Sequence, residues 1–393
     1  MKLRKEIEEL KEGLSEDQIN VFNHFISNIT EDDKQLYIYS GYAGTGKTVL
    51  LARLVQLLEV LCQDYHVAVY TGQAVSVLRD KNIGATTIHR MMYTPRELKD
   101  GTTIWVKREY LDFDWMIIDE FSMISKQMLE DMMSYGTKII FFGDPFQLPP
   151  IGEDDSWLAN KIDYNMTQIQ RQAEGNPIIQ TATKVRNKQK LTHIKEETEQ
   201  GKMYVLSKTK DAKLIAELKL SVDQIISGTN KTRRIINREV RKNLGRDGVI
   251  DSGDRLIILK NNAEVNVYNG QQITVQDIGT PKQLEVYIPW DKMWTTLTIM
   301  NVRTTDGEIH KICLNPITQD SFNVNTIKVE KHPDLIFVDY AYCANVHKMQ
   351  GSTFKSTLVY ADDLYWMKRN GDMYDRGLYT AITRASHECY VVI

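Results

Sequence analysis

The 393-residue chain holds only four cysteines, Cys62, Cys313, Cys343 and Cys389, far apart and without a C-x-x-C pair. That scarcity excludes a disulfide framework and a cysteine zinc site, and it fits a reducing compartment. Long apolar runs are missing too: no stretch approaches the ~18 residues of a membrane span. The first residues, MKLRKEIEELKEGLSEDQ, alternate charge with single apolar side chains and lack the apolar core of a signal peptide. The expectation is a soluble, cytoplasmic protein with no membrane partner. An excess of either charge is also absent, since 49 Lys and Arg stand against 52 Asp and Glu for a formal net charge of −3. A protein that holds nucleic acid by bulk charge is excluded, so a nucleic-acid partner requires basic residues gathered in a groove.

What is present is an ordinary globular balance, 42% hydrophobic and 26% charged residues, which argues against disorder. At ~100–200 residues per domain, the length asks for two to four domains. In the first half, short apolar runs at Leu36–Ser40, His66–Tyr70, Trp115–Ile118 and Lys138–Phe142 alternate with helix-length stretches. This is the pattern of a parallel sheet covered on both faces. Tyr164–Arg186 and Asp211–Gly245 read as helical, with a short apolar run at Gln224–Ser227. From about Asp251 the pattern shifts to short strands, Arg255–Leu259, Gln272–Val275, Leu284–Ile288 and Thr295–Met300, with turn pairs Asn269-Gly270 and Asp306-Gly307 among them. Strand and helix alternation then returns, so the simplest account is a β insertion inside a second α/β domain.

Gly41-Tyr42-Ala43-Gly44-Thr45-Gly46-Lys47-Thr48 matches G-x-x-x-x-G-K-T between an apolar strand and a helix pattern, the context this motif requires. Its glycines let successive N–H groups curl around a phosphate at a helix N-terminus. Lys47 would reach the terminal phosphates and Thr48 would place its hydroxyl on Mg²⁺. Trp115–Ile118 ends in Asp119-Glu120. Asp119 suits the surroundings of the metal, and Glu120 suits a general base that activates water; standing alone, the pair could also be a solvated cap of the next helix. Gln147, past the strand Lys138–Phe142, can hydrogen-bond a terminal phosphate.

These blocks stand in an order that resembles the superfamily 1B DNA helicases, specifically the phage Dda and bacterial RecD-like group. The matching blocks are Leu14–Gln18, the phosphate loop, Thr86–His89, Asp119–Met123, Gly143–Pro150, Gln170–Gln172, Gly228–Asn230, Val346–Ser352 and Leu378–Ala385. The resemblance thus covers nearly the whole chain. It implies an α/β fold of two RecA-like P-loop domains: 1–154 with a small pin at 91–113, and 155–250 with 330–393, the latter interrupted by an SH3-like β module at 251–329.

By the same resemblance Gln18 would read the adenine edge, and the nucleotide would be held by Gly41, Ala43, Gly44, Thr45, Gly46, Lys47 and Thr48. Arg171 and Arg384 would extend from the second domain to the terminal phosphate, as an always-charged fork stabilises phosphoryl transfer. Gln73, Thr86, His89, Thr229, Asn230, His347, Lys348, Gln350 and Ser352 would contact one DNA strand, by phosphate bonds and stacking that tolerate any sequence. Tyr93 and Trp105 are the aromatic candidates for the pin. Arg234, Arg238 and Arg241 share a helical face that reads either as a basic footprint or as a solvated surface. Thr353 departs from the glutamate that many RecD-like sequences carry after Gly-Ser.

The implied activity is an Mg²⁺- and ATP-dependent motor that moves 5′ to 3′ on single-stranded DNA and opens duplexes. Its partners would be single strands, single-strand/duplex junctions and replication or recombination proteins, and it would act as a monomer. An RNA helicase or a protein-stripping translocase is the alternative in the same class. A P-loop kinase or a DNA-binding switch is the alternative outside it.

Overall fold

The computed structural model describes residues 2–29, 34–97, 103–150, 152, 161–170, 175–262, 264–265, 267–288, 293–314 and 332–393. In the first half the strands are β1 (Leu36–Gly41), β2 (Tyr65–Val69), β3 (Thr86–Thr87), β4 (Tyr93–Glu97), β5 (Thr103–Lys107), β6 (Trp115–Asp119), β7 (Lys138–Gly143) and β8 (Tyr164–Met166). Six of them form a sheet in the order β3-β2-β6-β7-β1-β8, every pairing parallel. A parallel sheet is covered on both faces, which is why its strands read as unbroken apolar runs. Tyr37 and Tyr39 face Phe22, Phe25, Leu50 and Leu54 on one side, while Ile38 meets Met116, Ile118 and Phe141 on the other. β4 and β5 form a separate antiparallel hairpin with Pro95 opposite Trp105. Asp100 and Gly101, read as its turn, lie outside the described residues.

The second half supplies β9 (Ile194–Thr198), β10 (Gly201–Leu206), β11 (Gln224–Ser227), β12 (Arg255–Ile258), β13 (Gln272–Ile278), β14 (Lys282–Ile288), β15 (Met293–Thr304), β16 (Ile309–Leu314), β17 (Leu335–Tyr340), β18 (Cys343–Asn345), β19 (Phe354–Tyr360) and β20 (Ala385–Val392). A second sheet runs β18-β11-β19-β20-β10-β9, parallel apart from the β9/β10 hairpin. The helices Pro177–Arg186 and Met373–Ile382 cover its core. The stretch Tyr164–Arg186, expected to be helical throughout, is helical only from Pro177, where Asn176 caps the first turn and proline occupies it.

Strands β13-β12-β17-β16-β15 close on themselves through the β13/β15 pairing, and β14 extends β15 as a hairpin. Leu256, Ile258, Val275, Val302, Ile312 and Val338 fill this barrel. Its limit differs from the expected 329. β17 pairs with β12 and β16, so the barrel reaches Tyr340 and the α/β sheet resumes at β18. The run Leu335–Val338 is apolar at every position, buried, and paired in parallel with β16. In sequence it therefore resembles an α/β strand.

Arg241 also departs from the expected basic face. It is buried, its guanidinium bonds Asp251 at 2.9 Å and Asp254 at 3.1 Å, and it stacks over the Tyr340 ring at 4.4 Å. It therefore ties the helix Asn230–Asn243 to the entrance of the barrel. Removing one partner of a buried pair strands the other. Arg241→Met is expected to lower unfolding free energy by about 3 kcal/mol in urea titration; an unchanged midpoint would contradict this reading of the junction.

Candidate functional site

β1 runs directly into the phosphate loop, whose curl needs positive φ at Gly44 (+83°) and Gly46 (+77°). Gly46 caps the helix Lys47–Val60 with no side-chain bond to its first amides, which leaves those N–H groups free to meet an anion. Lys47 folds over the loop, its Nζ donating to the carbonyls of Gly41 at 2.7 Å and Tyr42 at 3.1 Å. Thr45 braces the turn by donating to Tyr42 O at 2.9 Å. Thr48 is the second residue of the helix that the loop opens.

The amino-terminal motif acts on this loop from behind. Ser15 and Gln18 form a capping box, and Asp17 accepts from the amides of Thr167 and Gln168 at 2.8 Å each. Gln18 spends its amide here: Oε1 accepts from Ser15 N, and Nε2 donates to Gly46 O at 2.9 Å. Gln18 is thus buried as a brace on the phosphate loop, with both ends of its amide bonded. Gln170 adds a second brace through Gly44 O and Thr45 O. Arg171, the first expected arginine of the second domain, lies outside the described residues.

Asp119 and Glu120 close the end of β6. Burial and the neighbouring Glu120 charge push the Asp119 carboxyl upward, while Lys47 and Lys81 oppose them. Glu120 adopts φ 59°, ψ 51°, a left-handed conformation that costs energy in a side-chain-bearing residue. Its Oε2 is buried without a partner, as is Oε1 of Gln147. Two orphaned oxygens beside uncapped amides and a lysine form a donor and acceptor set that fits a magnesium nucleotide and a water.

The second domain reaches this site through groups that the sequence reading did not single out. Asp144, fully buried after β7, accepts from Tyr379 Oη at 2.5 Å, and Tyr379 Oη accepts in turn from Ala43 N at 2.9 Å. Arg376 donates to the carbonyls of Gln147 and Pro145, and Thr380 Oγ1 accepts from Leu148 N. The Arg186 guanidinium lies 3.6 Å over the Tyr42 ring. Arg384, by contrast, donates to Thr380 O, Ser352 O and Thr383 Oγ1, all on its own domain. The signal available in sequence was Arg376, Tyr379 and Thr380 at i, i+3 and i+4 of the helix Met373–Ile382.

On the side where the sequence places the strand contacts, the fold brings the ends of β11 and β18 together. Asn345 donates to Asn230 Oδ1 at 2.9 Å, and Lys348 is exposed just beyond. Burial lowers the pKa of both His89 and His347, so each imidazole stays neutral at neutral pH. His89 meets the Tyr70 ring edge-on at 6.0 Å. The barrel overhangs this side: Tyr268 packs on Gly72, where a Cβ would lie 2.4 Å from the tyrosine Cβ, and its hydroxyl accepts from Arg90.

Several expected contacts are engaged within the protein. Thr86 pairs with His66, and Thr229 is held by Asp363 through its amide and hydroxyl. Gln350 is buried on Leu148 O, and buried Ser352 donates to Gln73 Oε1 at 2.8 Å. Ser352 therefore joins Gln73 to Arg384 through its hydroxyl and its carbonyl, a link that makes no use of Thr353. Tyr93 sits at the base of the β4/β5 hairpin, bonded to Asp131, whereas Trp105 is 45% exposed along it. Of the two aromatics, only Trp105 is free to offer a ring surface to a base.

Two RecA-like α/β domains meeting over a phosphate loop define a two-domain P-loop protein of the helicase type. Residues 13–207 match the AAA domain family and residues 340–392 the UvrD-like helicase C-terminal domain. In sequence the chain is similar to DNA helicases named RecD2 and Pif1. It is 24% identical to the ATP-dependent DNA helicase Pif1 of Campylobacter jejuni, over 88% of this chain and 86% of that protein. It is 29% identical over 180 residues to the ATP-dependent RecD2 DNA helicase of Deinococcus radiodurans, covering 44% of this chain and 24% of that protein. The chain spans about a third of the length of another relative, an uncharacterized mimivirus protein. A Bacteroides Pif1 helicase structure in complex with ADP-AlF3 and ssDNA shares the fold at a TM-score of 0.54 and 18% identity, over 96% of this chain and 92% of that one.

Proposed function

We propose that the protein is an ATP-dependent motor that moves 5′ to 3′ on single-stranded DNA and separates duplexes. One observation carries this reading: the helix Met373–Ile382 of the second domain is hydrogen-bonded into the phosphate loop and into the loop that bears Gln147. A nucleotide held there is in contact with both domains, so its turnover would move one against the other. The Pif1 and RecD2 relatives are named as ATP-dependent DNA helicases, which supports the same reading.

In this mechanism Lys47 and the amides of Gly44 to Thr48 bind the phosphates. Mg²⁺, held by Thr48 with Asp119, would supply charge neutralisation at the transferring phosphoryl group. Glu120 orients a water and takes its proton, Gln147 bonds the terminal phosphate, and Arg171 and Arg384 stabilise the charge that develops. One strand passes over both domains, across Gln73 and His89 on the first and Asn230, His347 and Lys348 on the second. The β4/β5 hairpin serves as the pin and the barrel as an SH3-like module that overhangs the strand. Substrates would be single strands and single-strand/duplex junctions, in a replication or recombination setting, acted on by a monomer.

ATP hydrolysis measured with and without oligonucleotide tests this reading: single-stranded DNA should stimulate it strongly, and an unresponsive rate would contradict it. If Trp105 stacks on the terminal base pair, Trp105→Ala should slow strand separation about tenfold, the size of one stacking contact of ~1–3 kcal/mol. DNA-stimulated hydrolysis should persist in that variant; a parallel loss of both would assign Trp105 to the motor instead of the pin.

A further inference from the structure

Resting on the motor reading, we propose that Tyr379 is a positioning residue that couples the second domain to the phosphate loop. Its single hydroxyl is used twice across the domain boundary, donating to Asp144 Oδ2 at 2.5 Å and accepting from Ala43 N at 2.9 Å. A phenol carries one proton and retains lone pairs, so both bonds are satisfied together. The first partner follows β7 and begins the loop bearing Gln147; the second is the third residue of the phosphate loop. One oxygen thereby fixes the spacing between the two segments of the first domain that would face the terminal phosphate.

The helix geometry carries that spacing onward. Arg376, Tyr379 and Thr380 stand at i, i+3 and i+4 and so share one face. Arg376 and Thr380 grip the 145–148 loop, and Tyr379 adds the phosphate loop itself. Five residues after Tyr379, Arg384 is tied to the same helix through Thr380 O. A shift at Ala43 is therefore passed as a rigid displacement to the arginine that the proposed reaction uses. The Tyr379 ring is buried and meets Phe146 edge-on at 5.2 Å, so this contact persists when the hydroxyl alone is removed.

Tyr379→Phe tests this directly. Turnover of ATP at saturating oligonucleotide is expected to fall about tenfold, with KM for ATP and Kd for single-stranded DNA each within about twofold of wild type. Thr380→Val serves as the comparison, because it removes a bond between the same helix and Leu148 without reaching the phosphate loop. It is expected to lower kcat by less than Tyr379→Phe does, about threefold, since Ala43 N and Asp144 keep their bonds to Tyr379. Wild-type kcat in Tyr379→Phe would overturn the proposal, and so would an equal fall in both variants, which would mean general loosening of the domain contact. Absence of DNA stimulation in the wild-type protein would overturn the motor reading instead. The role of Tyr379 would then be decided by the same comparison on the basal rate.

Discussion

Lys47→Ala is expected to lower ATP turnover by about 10³-fold, the upper range for losing one preorganised transition-state donor, while single-strand affinity changes by less than about twofold. The reason lies in how the ammonium is held. Bonds to Gly41 O and Tyr42 O keep it folded over the loop, so its charge is already in place for a terminal phosphate. It acts on the acids as well, since it opposes the upward push of burial on both Asp119 and Asp144. Without it both carboxyls become harder to ionise, and the acidic half of the site weakens together with the basic half. None of the side chains proposed to meet DNA is bonded to Lys47, so binding measured by fluorescence anisotropy should survive. A loss of turnover smaller than tenfold would contradict this assignment.

Arg384→Ala is expected to reduce turnover by ~10³-fold or more, the lower range for an arginine finger, and Arg384→Lys should recover little of it. A lysine is a point charge and cannot reproduce the planar fork that holds two carbonyls and the Thr383 hydroxyl at once. The carbonyls are those of Thr380 and Ser352, and Ser352 also donates to Gln73. The variant should therefore show weakened DNA stimulation in addition to a low basal rate. Nucleotide affinity, followed with a fluorescent ADP analogue, should remain close to wild type. If the arginine only holds its own domain together, Tm will drop while turnover per folded molecule stays intact.

The phosphate loop was legible in sequence because its chemistry is local: eight consecutive residues specify strand exit, curl and helix start, and the fold places them so. Asp119 and Glu120 were legible for the same reason, at the end of an apolar strand. Gln18, Gln350 and Thr229 were read as ligand contacts, yet the fold engages them with the phosphate loop, Leu148 and Asp363. Nothing in an amide or hydroxyl shows in advance whether its partner will be a ligand or a distant backbone group. Tyr379 and Asp144 are 235 residues apart, so only the assembled domains show them as a pair. The β9/β10 hairpin escaped notice because β9, Ile194–Thr198, is mostly charged and sits at a sheet edge, where charge is common.

The most direct measurement of the central claim is ATP-driven strand separation on two duplexes that differ only in carrying a 5′ or a 3′ single-stranded tail. The account predicts that the 5′-tailed duplex opens and that opening stops when ATP is withheld. Opening of the 3′-tailed duplex alone would contradict the direction of movement, and opening of neither, despite DNA-stimulated hydrolysis, would contradict the helicase itself.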